Sequence, residues 1–273
     1  MFLLASRTAY NEFVKYHNFR HVVDVLQALF QFLVRIGTLP PYPSDSTSTT
    51  TPKSPIAELL KPFDALTLLI SAIGHDVGHP GVNNAFLVAL NAPLAQLYND
   101  RSVLESFHCA AYSQILRRYW PKAFADAAMR KLMINNILAT DMGLHFKYMS
   151  DLGSLQQKVA HDRGVLDGWS VKVQEEQKDL TCGLLIKCAD ICNVVRIRFP
   201  NFRHNILTPL GEKVRYRRQM GQYPHRRIQQ SRAHGARVAN SILPLWWAPC
   251  SGGHHQARRV SDWLYEYLRQ ATV

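Results

Sequence analysis

Hydrophobic residues recur at steps of three and four after the segment YHNFRH: Val22, Val25, Leu26, Leu29, Phe30 and Leu33 fall on one face of a helix that ends near Gly37. The stretch that follows, TLPPYPSDSTSTTTPKSP (38–55), is rich in Pro, Ser and Thr. It cannot bury enough apolar surface to order itself, so a mobile surface loop is expected there. Helical patterning resumes at Ile56 and continues through SVLESFHCAAYSQILRRYW, AAMRKLMINNILATDM and DLTCGLLIKCADICNVVRI, with no alternating strand pattern in competition. The expected fold class is all-α, without internal repeats. Beyond about residue 199 the periodicity is lost, and only VSDWLYEYLRQA near the end patterns as a short helix.

Charge sharpens that boundary. The net charge of +12 is unevenly spread: residues 1–195 hold 18 Lys and Arg against 17 Asp and Glu, whereas residues 196–273 hold 14 against 3. A +11 segment that repels itself is expected to be poorly ordered, and a basic arm of this kind can bind any polyanion by counterion release. A nucleic-acid partner through that arm is the weaker alternative to the chemistry below. No run approaches the eighteen apolar residues of a membrane helix, and the apolar part of MFLLASRTAY is too short for a signal peptide, so a cytoplasmic location is expected. Five cysteines with no C-x-x-C pair indicate reduced thiols rather than a disulfide framework or zinc knuckle.

The chemistry-bearing residues interrupt apolar segments. His17 and His21 come first, then His75, Asp76 and His79 within AIGHDVGHPGVNNAF, then Thr140 with Asp141, and last Asp190 within LLIKCADICN. Burying an unpaired carboxylate costs several kcal/mol unless something neutralises it. A metal ion does so and also accounts for the histidines, since imidazoles four residues apart on a helix project from one face. Nitrogen ligands favour Zn²⁺, and a carboxylate with waters favours Mg²⁺ or Mn²⁺. One aspartate shared by two ions would set them roughly 3.5–4 Å apart, the arrangement of two-metal phosphoryl hydrolysis.

YHNFRHVVDV fits the pattern Y-H-N-x-x-H-x-x-D-V, HDVGHPGVNN fits H-D-x-x-H-x-G-x-x-N, and YNDRSVLESFH, ATDM and KCADICN follow in order. Over residues 9–199 these motifs resemble the class I 3′,5′-cyclic-nucleotide phosphodiesterases, and the local wording resembles the filamentous-fungal branch. The resemblance implies a multi-helix, HD-type metal-binding domain, incomplete at both ends, that hydrolyses a cyclic nucleotide, cyclic AMP first, to the 5′-monophosphate. It implies that His21, His75, Asp76 and Asp190 hold a zinc ion and that Asp76 also holds a magnesium-like ion completed by water. His17 matches the general acid for the departing O3′ of the ribose. His79, Glu105, His108, Thr140 and Asp141 match positions that orient ligands and waters. Met142 and Asn193 match positions beside the nucleotide. A water between two cations has its pKa lowered toward ~7, which makes hydroxide available for in-line attack on phosphorus.

The likeness ends within a few residues of Asn193. The purine-clamping region of the family has no counterpart in residues 200–273, whose Arg-, His- and Pro-rich composition resembles a translated intron or a frame change. A metal-binding fragment without turnover is therefore the first alternative. The motifs leave the oligomeric state open.

Overall fold

The computed structural model describes residues 1–40, 54–162, 166 and 168–192; the expected tail (200–273), Asn193 and most of the expected 38–55 loop lie outside the described residues. Every regular element among the described residues is helical, as expected. None of these helices is long and apolar enough to cross a membrane.

Four long helices form the centre: α2 (Phe19–Arg35), α3 (Pro62–Gly74), α8 (Ala127–Ala139) and α10 (Val171–Cys192). They bury one apolar cluster that includes Leu29, Leu33, Leu68, Leu184 and Ile186. Each such side chain contributes about 1.5–3 kcal/mol when fully buried. α2 begins where Asn18 caps it, its side chain accepting from the backbone of Arg20 and His21, and stops before Gly37, which takes the left-handed conformation open to glycine (φ 82°). α3 is buried nearly all round, consistent with apolar residues on every face. The hydroxyls it carries, on Thr67 and Ser71, donate to carbonyls one turn back at 2.8 Å, so burial leaves neither unpaired.

A second cluster lies where α6 (Val103–Tyr119) meets α8, α7 (Pro121–Ala125) and α1 (Phe2–Thr8), around Tyr112, Met133 and Ile137. α1 precedes the expected start of the domain at residue 9, yet Phe2 packs its ring on Tyr112 (6.1 Å) and Trp120 (5.6 Å). Gly74 is where α3 and α6 touch: a Cβ there would stand 2.1 Å from the Tyr112 ring. Periodicity left α9 (His145–His161) unannounced, and also α4 (Asn84–Ala89) and α5 (Pro93–Leu97).

Candidate metal centre

The histidine spacing brings the rings together, but not for the reason the sequence offered. His17 lies before Asn18, the cap of α2, and His21 sits in the first turn after it. His75 is the C-terminal cap of α3, with Asp76 and His79 in the turn beyond. Thr140 caps the end of α8, and Asp141 follows it. Of these positions only His21, in the first turn of α2, and Asp190, near the end of α10, stand inside a helix. The pairs meet because helix ends converge, which corrects the shared-face argument while keeping its outcome.

His21, His75, Asp76 and Asp190 form one cluster, the first three buried and Asp190 half-buried. His21 Nε2 lies 2.9 Å from Asp190 Oδ1 and 3.5 Å from Asp76 Oδ2, and His75 Nε2 lies 3.6 and 3.4 Å from the same two atoms. The two Nε2 atoms are 3.3 Å apart. An ion bound at ~2.0–2.2 Å by imidazole and carboxylate holds neighbouring ligand atoms roughly 2.9–3.5 Å from one another. Four of the five separations fall in that range and the fifth, at 3.6 Å, lies just beyond it, so the group is spaced as a cage for one cation. Asp76 Oδ2 is buried and accepts no hydrogen bond among the described residues, the orphaned atom such an ion would satisfy. The tautomer fits as well: His75 Nδ1 donates to the Ala72 carbonyl at 2.9 Å, leaving the Nε2 lone pair turned into the cage.

Charge tells the same story. Burial pushes His75 down, but Asp76 and Asp190 carry it up to about 9. Burial would raise Asp190, and the hydrogen bonds from His21 and His75 hold it well below its ordinary value. Asp76 is likewise held low against its burial by the imidazoles of His75, His17, His21 and His108. Two carboxylates kept ionised among imidazoles make an anionic cage.

A second group stands against the other side of Asp76, with ligand atoms of Asp76, His79 and His108 within 4.8 Å of one another. His108 Nδ1 donates to the Val77 carbonyl at 2.7 Å, which turns its Nε2 to Asp76 Oδ1 at 3.8 Å. His79 differs, because its Nδ1 accepts from the Gly81 amide at 2.9 Å, so neutral His79 presents an N–H at Nε2 and no lone pair. Its ring stacks on His17 at 3.9 Å. Burial and the neighbouring His17 lower His79 to about 3, and burial lowers His17 and His108 too.

Glu105 is half-buried, and burial raises its pKa, with Asp141 and Asp76 adding to the effect. Its Oε2 accepts from Asn84, whose own Oδ1 receives the Leu104 amide at the start of α6, so Asn84 ties Glu105 to the start of its own helix. Thr140 is buried and donates to Ile137, and the Asp141 carboxylate is held by Ser102 and the Gly143 amide. Met142 lies at the surface, 46% exposed. Residues that sequence reasoning missed hold these parts in place. Tyr10 donates to the Ile73 carbonyl (2.8 Å), Asn11 donates to the His79 carbonyl (2.9 Å), and Lys187 spans from α10 to the end of α8. A lysine in the apolar run LLIKCAD was the visible signal for the last.

The same stretch of chain matches the sequence family described as 3′5′-cyclic nucleotide phosphodiesterase across residues 16–200. The chain belongs to this family. It is 33% identical over 200 residues to 3′,5′-cyclic-nucleotide phosphodiesterase 2 of Saccharomyces cerevisiae, covering 72% of this chain and 30% of that protein. Identity to the 3′,5′-cyclic-AMP phosphodiesterase 4C of Mus musculus is 31% over 201 residues, covering 70% of this chain and 26% of the relative. The chain thus spans less than a third of the length of these relatives. Among solved structures, yeast caPDE2 superposes with a TM-score of 0.58 at 28% identity, covering 99% of this chain and 53% of that one. The phosphodiesterase domain of the Salpingoeca rosetta rhodopsin phosphodiesterase, at 22% identity and a TM-score of 0.61 over 99% of this chain and 77% of that one, shares the fold.

Proposed function

We propose that this chain hydrolyses a 3′,5′-cyclic nucleotide, cyclic AMP ahead of cyclic GMP, to the 5′-monophosphate in the cytoplasm. The observation that carries the proposal is the anionic cage of His21, His75, Asp76 and Asp190, whose Asp76 Oδ2 is buried without a hydrogen bond, beside the stacked imidazoles of His17 and His79. The residues fit Zn²⁺ in the cage and Mg²⁺ or Mn²⁺ on the far side of Asp76. Bound there, two divalent ions would supply an activated water and neutralise charge on the phosphoryl oxygens.

The chain's own residues do the rest. The O3′ alkoxide is a poor leaving group, and on this reading His17, whose ring lies 5.9 Å from that of His21, protonates it, a contribution of about 10²–10⁴-fold. Burial lowers the proton affinity of His17, and Asp76 and Asp190 offset only part of that lowering. His79, Glu105, His108, Thr140 and Asp141 orient ligands and waters, each anchored by a bond to backbone or side chain described above. The name of the mouse relative supports cyclic AMP as the substrate.

A second reading is favoured by one observation: this chain covers 53% of the solved yeast structure. It would bind metal without turnover. The experiment is to incubate the full chain with Zn²⁺ and Mg²⁺ and follow cyclic AMP and cyclic GMP by phosphorus NMR, beside His17→Ala. Formation of 5′-AMP, lost in His17→Ala for cyclic AMP but spared for an analogue with an activated 3′ leaving group, supports the proposal. Bound metal with no product would establish the second reading, and equal loss on both substrates would remove His17 as the acid.

A further inference from the structure

Lys187 is fully buried, and its ammonium faces main-chain oxygens: Nζ donates to the carbonyls of Ala139 (3.0 Å) and Asp141 (2.8 Å). Ala139 is the last residue of α8, where helix carbonyls lack intrahelical donors and the helix dipole favours a cation. A methionine would fill similar volume without the cost of burying a charge. What only the lysine provides is the tie between α10, three residues before Asp190, and the turn that carries Thr140 and Asp141. That turn is fastened again on its far side, where Asp141 Oδ2 accepts from Ser102 Oγ at 2.7 Å. Ser102 caps α6, the helix of Glu105 and His108, and it does so at φ 42°, ψ 47°, a left-handed conformation disfavoured for a residue with a Cβ. Strain of this kind persists where the surroundings over-determine it.

We propose that Lys187 is a positioning residue for the second ion: acting through the Asp141 backbone, it sets where the Asp141 carboxylate stands against Glu105 and Asp76. The inference rests on the metal-dependent reading above. Lys187, Asp141 and Ser102 form one polar chain across three helices, each bearing a different part of the site. Burial pushes the Lys187 ammonium toward deprotonation, and the carboxylates of Asp190 and Asp141 oppose it, so the lysine feels the field of the centre it braces.

The test is a titration of the full chain with Mn²⁺, following the electron paramagnetic resonance signal of the free ion. In Lys187→Met the weaker of two Mn²⁺ dissociation constants should rise about 10–100-fold, the usual cost of losing a group that orients a metal's surroundings, with helix content by circular dichroism unchanged. The deciding comparison repeats the substitution in an Asp141→Ala background. With no carboxylate left to place, Lys187→Met should have no further effect there. An equal loss in both backgrounds, or none in the native one, overturns the proposal. Should Lys187→Met fail to fold, Ser102→Ala cuts the other end of the chain, and its loss must likewise vanish in the Asp141→Ala background; a loss that persists, or no loss, overturns it. Cyclic AMP hydrolysis measured in parallel separates the two claims. A chain that binds two Mn²⁺ without turnover refutes the proposed activity while the affinities still decide Lys187, and a chain that binds none overturns both.

Discussion

Removing the metal should give the protein a stability maximum near pH 6.5, and the position follows from the shifts in the cage. His75 is raised from 6.5 to about 9, so folding favours its protonated form. A group raised in this sense contributes stability that is fully present below 6.5 and lost as the pH climbs through about 9. The gap between those values, at about 1.36 kcal/mol per pH unit, amounts to about 3 kcal/mol. The histidines beside the cage act the other way. His79, lowered to about 3, and His17 and His108, also lowered, stay neutral in the fold while the unfolded chain takes up protons below 6.5. Their contribution is present above 6.5 and lost as the pH falls. Asp76 and Asp190, held low, add their loss only at more acidic pH.

The assay is thermal unfolding by circular dichroism from pH 5 to 9.5, with a chelator or with stoichiometric Zn²⁺. Since 1 kcal/mol moves the midpoint of a domain this size by roughly 2–4 °C, the chelated protein should lose about 6–12 °C between pH 7 and 9.5. With metal bound His75 must be neutral, so its proton has already been displaced and its share of the alkaline loss should disappear, leaving the decline that Cys109, Cys182 and Cys188, thiols raised by burial, give with or without zinc. A chelated protein whose midpoint is flat from pH 7 to 9.5, or one that declines equally with and without zinc, would show that His75 is not held as an imidazolium between Asp76 and Asp190.

Two further outcomes test the frame around the cage. Asp190→Ala should abolish stoichiometric zinc, because it removes the carboxylate that approaches both His21 and His75; elemental analysis finding full occupancy would take Asp190 out of the cage. Gly74→Ala should destabilise the fold by about 1–3 kcal/mol or more through overpacking, since its Cβ would meet the Tyr112 ring at 2.1 Å. Adding Tyr112→Leu should recover part of that loss, and an unchanged denaturant midpoint in Gly74→Ala would refute the tight contact of α3 with α6.

The long amphipathic helices were legible because their pattern is set by burial against one another: Val22, Val25, Leu29 and Leu33, read from spacing, are all buried in α2. The residues of the cage were legible for an energetic reason, since carboxylates and imidazoles inside apolar segments demand a neutraliser wherever the fold puts them. Their geometry was not legible. A spacing of four says that two side chains share a helix face only if the helix continues between them, and here a cap intervenes at Asn18 and a helix ends at Gly74. The bracing residues were less visible still. Tyr10 and Asn11 act across 63 and 68 positions of sequence, and Lys187 across 48, separations at which no local pattern carries information. α9 escaped because its buried apolar residues, Leu152, Leu155 and Val159, are too few to outweigh the polar residues around them.

That the cage sits at helix ends has a physical cause. The last turn of an α-helix leaves carbonyls without intrahelical donors, and burying them unpaired would be costly. At the end of α3 the donors come from the site itself: His75 Nδ1 bonds Ala72, Tyr10 bonds Ile73, and His108 Nδ1 bonds Val77 in the turn beyond. Each bond satisfies an oxygen of the scaffold and, in the same act, fixes an imidazole tautomer or anchors the backbone that carries Asp76. In mid-helix those carbonyls would already be paired, and the imidazoles would have nothing rigid to donate to. The helix terminus therefore supplies both the turn that separates His75, Asp76 and His79 and the fixed acceptors that aim the nitrogens of His75 and His108. The substitution that stabilises such a turn as continuous helix would be expected to cost metal affinity even where no ligand is changed.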